Sequence, residues 1–401
     1  VSVTAAPGFV AAAGSVGIKG PGAPDMAVVA TEDGRAVAAA GVFTANLAAA
    51  APVQVSRTHL EVTGGRAAAV VLTSGNANAA TGQPGRVAAE RLCREVAGGI
   101  GSSSDEVLVC QTGLIGVPFP IDAVAPAVRS VVERRSGGPG AGAAAADAIM
   151  TTDTVRKEAV AGGAVAGGAV ARGEGGTFTV GGMAKGAAML APNMATMLAV
   201  LTTDAAVEVA TLRRVLAEAV DTTFNSMTVD GCASTNDTVL ILAGGRAGPV
   251  EPEALAVAVR EVCGSLAAQM VADAEGATKV VTVRVVGAVS DAEAHRAARQ
   301  VADSLLVKCS LNGEDPYWGR VVSELGVAGV AFDLDRVSVS YGGVPVCVGG
   351  MAAPHDVAAV AGHMAGRTVE LMCDLGLGRG SGAILTTDLG YGYIDENRTT
   401  S

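Results

Sequence analysis

The sequence predicts an α/β (α+β) fold with mixed sheets, and three observations carry that prediction. Short apolar runs of strand length alternate with longer segments of helical spacing. The apolar half of the composition is mostly Ala, Val and Leu, with abundant Gly and aromatics at only 3%, which suits close approach of backbones in layered sheets. The length of 401 residues easily buries a full core and suggests about two domains.

The elements follow in chain order. Residues 67–73 (AAAVVLT) are an apolar run of strand length that ends in the loop Ser74-Gly75-Asn76-Ala77-Asn78. Residues 85–96 place Val87, Leu92 and Val96 at helical spacing. Residues 107–110 read as a strand running into Gln111-Thr112-Gly113-Leu114-Ile115-Gly116, and 120–135 as an amphipathic helix with Pro120 in its first turn. Residues 136–146 are Gly/Ala-rich and mix a turn with a helix start. Residues 159–176 alternate GGAV units, read as strands of a hairpin with its tip near 173–176. Residues 177–181 form a strand leading into Met183-Ala184-Lys185-Gly186, and 196–201 a second apolar strand. A helix over 208–220, a strand over 238–243 and a long helix over 251–274 follow, the last opened by Pro252. After Glu275-Gly276 the texture changes. Residues 279–286 alternate as a strand, 291–306 form a helix, strands lie at 336–341, 344–348 and 368–374, and a last apolar stretch covers 383–386. A boundary near 276 divides residues 1–275 from 276–401.

Composition excludes several function classes. A net charge of -11 with one Trp and four Tyr argues against nucleic-acid binding, which needs basic clusters. A mean hydropathy of +0.42 argues against disorder. No unbroken apolar run reaches about 18 residues and no basic stretch precedes an apolar core at the N-terminus, so neither a membrane span nor a secretory signal is expected. The seven cysteines are scattered without a CxxC pair and the four histidines do not cluster, which disfavours a disulfide framework and a metal site. The cysteines read as buried small side chains in a reducing cytoplasm. Only five of the 28 basic residues are lysines: Lys19, Lys157, Lys185, Lys279 and Lys308. A lysine kept in an arginine-rich chain suggests a need for a compact point charge.

The densest chemical segment is residues 185–198, in which Lys185 precedes a Pro192-Asn193 turn and Thr196 opens an apolar strand. On composition alone this is an ordinary turn into a core strand, with Thr196 serving β-propensity. The functional reading makes Thr196 a nucleophile. A threonine hydroxyl needs a base, and the α-amine of an N-terminal threonine supplies one. Thr196 is internal, so this requires scission of the Ala195–Thr196 bond, which Thr196 Oγ1 could start by an N→O acyl shift. A tetrahedral intermediate then needs an oxyanion hole, for which the Thr112 hydroxyl and the Gly113 N–H are candidates, although Thr-Gly at a strand end is commonly just a turn. Thr151-Thr152-Asp153-Thr154 and residues 230–238 could line a site or satisfy loop backbone. Glu275 sits near a helix C-terminus, where the dipole disfavours it, which hints at another role. Asp315-Pro316-Tyr317-Trp318-Gly319-Arg320 holds the one Trp, a packing anchor on the plain reading.

Residues 185–198 resemble the self-cleavage segment of the bifunctional glutamate N-acetyltransferase / ornithine acetyltransferase family. Gly41-Val42-Phe43-Thr44, Ser74-Gly75-Asn76-Ala77-Asn78-Ala79, Thr112-Gly113-Leu114-Ile115-Gly116, Ile149-Met150-Thr151-Thr152-Asp153, Ser234-Thr235-Asn236-Asp237-Thr238, Glu275-Gly276-Ala277-Thr278-Lys279 and Trp318-Gly319-Arg320 fall in the family's order, so the resemblance covers essentially the whole chain. It implies a layered αββα catalytic core over 1–275 and a smaller C-terminal α/β domain over 276–401, whose tail returns to the active site. It implies cleavage between Ala195 and Thr196, giving chains 1–195 and 196–401 assembled as an α2β2 heterotetramer in the cytoplasm. Thr196 would take acetyl from N2-acetylornithine and pass it to glutamate in arginine biosynthesis, with Thr112 and Gly113 as the oxyanion hole. Thr151, Lys185, Thr196, Glu275, Asn397 and Ser401 match substrate-binding positions. Lys185 suits an amino-acid carboxylate and Glu275 the cationic amine of ornithine. No cofactor is implied, though some members also use acetyl-CoA as donor. The chain departs from the family in Ala187-Ala188, Tyr317, Cys309 and Cys232. The alternatives are a self-cleaving aminopeptidase or amidase of related fold and a non-catalytic amino-acid-binding relative.

Overall fold

Residues 2–164, 177–190 and 197–398 are described by the computed structural model of the chain. Their strands form three sheets. The first runs in the order Phe9–Gly14, Met26–Thr31, Ala69–Asn76, Val107–Leu114. The second runs Arg66–Ala67, Val37–Phe43, Thr238–Pro249, Leu198–Ala206, Thr177–Lys185, Lys157–Ala164. Both are mixed: the Ala69–Asn76 and Val107–Leu114 strands are parallel, as are Thr238–Pro249 and Leu198–Ala206, while the other pairings are antiparallel.

Alternation along each strand divides its side chains between two cores. Phe9 and Ala11, Ala27 and Val29, Val70 and Leu72, Leu108 and Cys110 face the second sheet, meeting Ala39, Met183, Leu198, Val200, Leu240 and Leu242. The intervening residues of the first sheet, Val10, Val28, Val71, Val107 and Val109 among them, pack on the helices Gly82–Ile100 and Ile121–Val132. On the far side of the second sheet, Val180, Ala199, Leu201, Val239 and Ile241 pack on the helices Val209–Thr222 and Pro252–Ala272. The order is therefore helices, sheet, sheet, helices: the αββα sandwich. Fully burying each Val or Leu in these layers contributes roughly 1.5–3 kcal/mol.

The Pro252–Ala272 helix is long and apolar enough to cross a bilayer by length and composition. Here Leu255, Val259, Val262, Leu266 and Met270 are buried in the core instead. Five of the seven cysteines are buried as expected, but Cys232 and Cys309 are exposed.

The third sheet is built from strands after residue 276, in the order Met351–Ala352, Val344–Val348, Ser338–Tyr341, Thr368–Asp374, Val280–Ala288, Gly380–Thr387. The helix expected over 291–306 is two helices, Asp291–Asp303 and Leu305–Asn312. Ser304 between them is extended at φ -67, ψ 118, and its hydroxyl caps Val307 N, so a serine at an N-cap starts a new helix where continuous spacing suggested one. The strand expected over 336–341 begins at Ser338, after a 3-10 turn at Leu334–Arg336.

Candidate active site

Strand ends from the two sandwich sheets converge on the candidate residues. Thr112 and Gly113 lie near the end of the Val107–Leu114 strand, and Lys185 ends the Thr177–Lys185 strand, paired in register with Leu198. Gly113 is required where it stands. Its φ is +129, and a Cβ there would fall 2.3 Å from the carbonyl carbon of Gly75, its partner on the neighbouring strand. The end of this strand is framed by buried amides. Asn236 Nδ2 donates to Gln111 O at 2.8 Å and to Ala77 O at 2.6 Å, and Asn78 Nδ2 donates to Gln111 Oε1 at 2.8 Å.

Lys185 is the hub. Its ammonium is 3% exposed, donates to Thr151 Oγ1 at 2.6 Å, and lies 3.5 Å from Thr112 Oγ1 and 3.7 Å from Asp153 Oδ2. Burial lowers its pKa from the ordinary lysine value, opposed by the charge of Asp153. Asp153 in turn accepts from Lys157 Nζ at 2.7 Å, from Gly186 N at 2.7 Å and from Thr151 N at 3.1 Å. Burial pushes the Asp153 carboxyl up, but Lys185, Lys157 and these hydrogen bonds outweigh it and hold the pKa at about 2. Lys157, fully buried, also pairs with Asp273 at 2.5 Å.

Asp273 closes the C-terminus of the Pro252–Ala272 helix, where a carboxylate opposes the dipole. The amides of Thr154 and Val155 and the Lys157 ammonium compensate it. The dipole misfit attributed to Glu275 therefore belongs to Asp273, two residues earlier. Glu275 turns into the site instead. It is 8% exposed, its N–H donates to Ala187 O at 2.9 Å, and its Oε2 accepts from Asn397 Nδ2 at 2.7 Å. Asn397 follows the C-terminal helix Tyr391–Glu396. That helix is docked by Glu396 on Gly276 N and by Tyr393 OH on Asp230. Gly276 permits the docking, because a Cβ there would meet Tyr393 N at 2.0 Å. A cleft of about 250 Å³ opens beside Glu275, with Thr152, Thr154, Asp273, Glu396 and Arg367 in its walls.

The structure thus brings Thr112, Gly113, Thr151 and Lys185 together as a cationic, hydroxyl-rich corner. Glu275 and Asn397 form an acidic corner joined to it through Ala187. Ala195, Thr196 and Ser401 lie outside the described residues. Met197, the residue after Thr196 in the sequence, donates its N–H to Asp237 Oδ1 at 3.0 Å. Burial raises the Asp237 pKa well above the carboxylate range, and its Oδ2 has no hydrogen-bond partner among the described residues.

Sequence reasoning did not single out Asp153, Lys157, Asp273, Asp237 or Asn236 individually. The signal for the first pair was present: Asp153 and Lys157 sit four apart beside the Thr151 motif.

Comparison with known proteins decides the family. The ArgJ family model matches residues 10–399. The chain belongs to the ArgJ family. The arginine biosynthesis bifunctional protein ArgJ of Mycobacterium leprae is 47% identical over 407 residues, which cover all of this chain and 95% of that protein. The protein of the same name from Streptomyces coelicolor is 45% identical over 404 residues, covering both chains completely. Among solved structures, the ornithine acetyltransferase of Mycobacterium tuberculosis complexed with ornithine is 39% identical with a TM-score of 0.41, matching 49% of this chain and 96% of that one. With the ArgJ family fixed, acetyl transfer in arginine biosynthesis stands over the hydrolase and binding-protein alternatives.

Proposed function

We propose that the chain cleaves itself between Ala195 and Thr196 and then moves acetyl from N2-acetylornithine to glutamate through an acetyl-Thr196 enzyme. The observation that carries this reading is the juxtaposition of two corners of opposite charge. Lys185, with Thr151, receives the α-carboxylate that all these substrates share. Glu275, steadied by Asn397, receives the ornithine side-chain ammonium, beside a cleft rich in carboxylates. Ornithine is the ligand of the Mycobacterium tuberculosis relative.

The Thr196 α-amine, with a reference pKa of about 7.7–8.0, takes the hydroxyl proton as Oγ1 attacks the acetyl carbonyl. The Thr112 hydroxyl and the Gly113 N–H donate to the oxyanion. Ornithine leaves with a proton, the acetyl ester remains on Thr196, and the glutamate amine attacks it in a second half-reaction of the same geometry. Ser401, in the tail, is assigned to substrate binding by the family resemblance. Acetyl-CoA serves as an alternative donor, no bound cofactor takes part, and the mature chains 1–195 and 196–401 assemble as α2β2 in the cytoplasm.

Intact mass and N-terminal sequencing of the purified protein test the cleavage. A chain beginning Thr-Met-Leu-Ala is expected, and a single full-length chain after long incubation would overturn the reading. Thr196→Ala is expected to stay uncleaved and to lose transfer; full transfer by that variant would remove Thr196 as nucleophile.

A further inference from the structure

The proposed reaction sets a problem of charge. Its donor, N2-acetylornithine, carries one carboxylate and a side-chain ammonium; its acceptor, glutamate, carries two carboxylates. Both must place the same nitrogen at the same hydroxyl. Glu275 favours the first side chain and repels the second, so the acceptor needs a further cation.

One lysine outside the assigned residues stands beside the cationic corner. Asp25, completely buried, accepts from the backbone amides of Val16 at 2.6 Å, Ile18 at 2.6 Å and Lys19 at 3.1 Å, and so folds the segment between the first two strands around its carboxylate. That segment lies on Gly75, where a Cβ would come 3.0 Å from the side chains of Ile18 and Lys19. Gly75 pairs with Gly113, so the segment sits at the same strand end as the proposed oxyanion hole. Lys19 Nζ donates to Met150 O at 2.5 Å, while Lys185 Nζ is held by the hydroxyl of the next residue, Thr151. Two of the five lysines of an acidic chain are thus anchored on successive residues.

We propose that Lys19 is a specificity-determining residue that holds the side-chain carboxylate of the acceptor while Lys185 holds its α-carboxylate. Lys19 is exposed where Lys185 is buried, and with Met150 O and, at 3.5 Å, Pro24 O as its partners, its ammonium keeps one donor for a ligand. Its pKa is lowered, by partial desolvation first and, among charges, by Lys185, against Asp25 and Asp153, so the two ammoniums sense each other. An acceptor with two carboxylates relieves that repulsion; a donor with one does not. The inference rests on the transfer reading and deepens it.

The test uses the full-length, self-processed enzyme and separates the two half-reactions. Lys19→Met keeps the aliphatic stem and removes the charge. The burst of ornithine from N2-acetylornithine is expected at the wild-type rate, while the KM for glutamate rises by about tenfold or more, the scale of one charge-assisted hydrogen bond. Lys19→Arg is expected to recover most of the loss. Glutamine, offered as a neutral-side-chain acceptor, is expected to show the same KM with Lys19→Met as with the wild type. An equal loss in both half-reactions, or none in either, would overturn the proposal. A loss confined to acetyl-CoA as donor would also overturn it, because the anion held would then be phosphate. A wild-type enzyme that releases no ornithine burst defeats the transfer reading itself, independently of Lys19.

Discussion

At the scale of residues, Asp153 organises the cationic corner. It holds Lys157 and Lys185 and bonds the amides of Thr151 and Gly186. Its folded pKa of about 2 lies below the reference 3.8, so the unfolded chain binds more protons between these values. The stability it contributes, about 2 kcal/mol, is present above pH ~4 and is lost as pH falls toward ~2. Asp153→Asn is expected to destabilise the protein by roughly 3 kcal/mol at neutral pH and to flatten the acid limb of a urea-midpoint profile. An unchanged acid limb would show that Asp153 is not the titrating group. Gly113→Ala is expected to abolish turnover and to lower stability, since the new methyl would overlap the Gly75 carbonyl carbon; wild-type turnover would remove Gly113 from the catalytic geometry. Thr112, Lys185 and Glu275 were legible because each stands in a compact polar motif. Asp153 was legible only as one member of such a motif, and Asp273 was passed over in favour of Glu275 at the same helix end. The role of Asp273 comes from partners more than a hundred residues away, Thr154, Val155 and Lys157, and that of Asp153 from Lys185 and Gly186 on a later strand end.

At the scale of elements, apolar runs of Val, Leu and Ile marked the central strands well, because both faces of those strands are buried. The strands Phe9–Gly14, Met26–Thr31 and Val37–Phe43 gave no comparable signal. Their alanine-rich sequences, such as VAAAGVF, carry little β-propensity, and pairing with neighbours makes them strands. Small side chains there let two sheets pack closely. The break at Ser304 was hidden for the opposite reason: apolar spacing continues across it, and only the cap reveals it. Ser304 Oγ accepts from Val307 N and donates to Glu324 Oε1 at 2.9 Å. Ser304→Ala is expected to cost about 1 kcal/mol in thermal or denaturant unfolding without changing transfer kinetics. A loss of activity larger than the loss of folded protein would mean that this junction serves the site.

At the scale of the whole molecule, the proposed cleavage at 195–196 would divide a sheet without opening it. The Thr177–Lys185 and Leu198–Ala206 strands are hydrogen-bonded neighbours, and Val37–Phe43 pairs with Thr238–Pro249, so the two later strands, paired with each other, are flanked on both sides in the sheet by strands that precede residue 195. The two chains are expected to co-elute under native conditions and to separate only on denaturation; native dissociation would contradict this topology. The same arrangement explains why the catalytic equipment is poorly visible in composition. A chain with four unclustered histidines looks unequipped until the proposed base, a backbone amine made by cleavage, is counted. The most direct measurement is to quench the enzyme during turnover of N2-acetylornithine without glutamate and to map the acetyl group by peptide mass. The acetyl is expected on Thr196, at the new N-terminus of the 196–401 chain, and to disappear when glutamate is added. Acetyl on Lys185 or another side chain, or turnover without any acetylated enzyme, would contradict the mechanism.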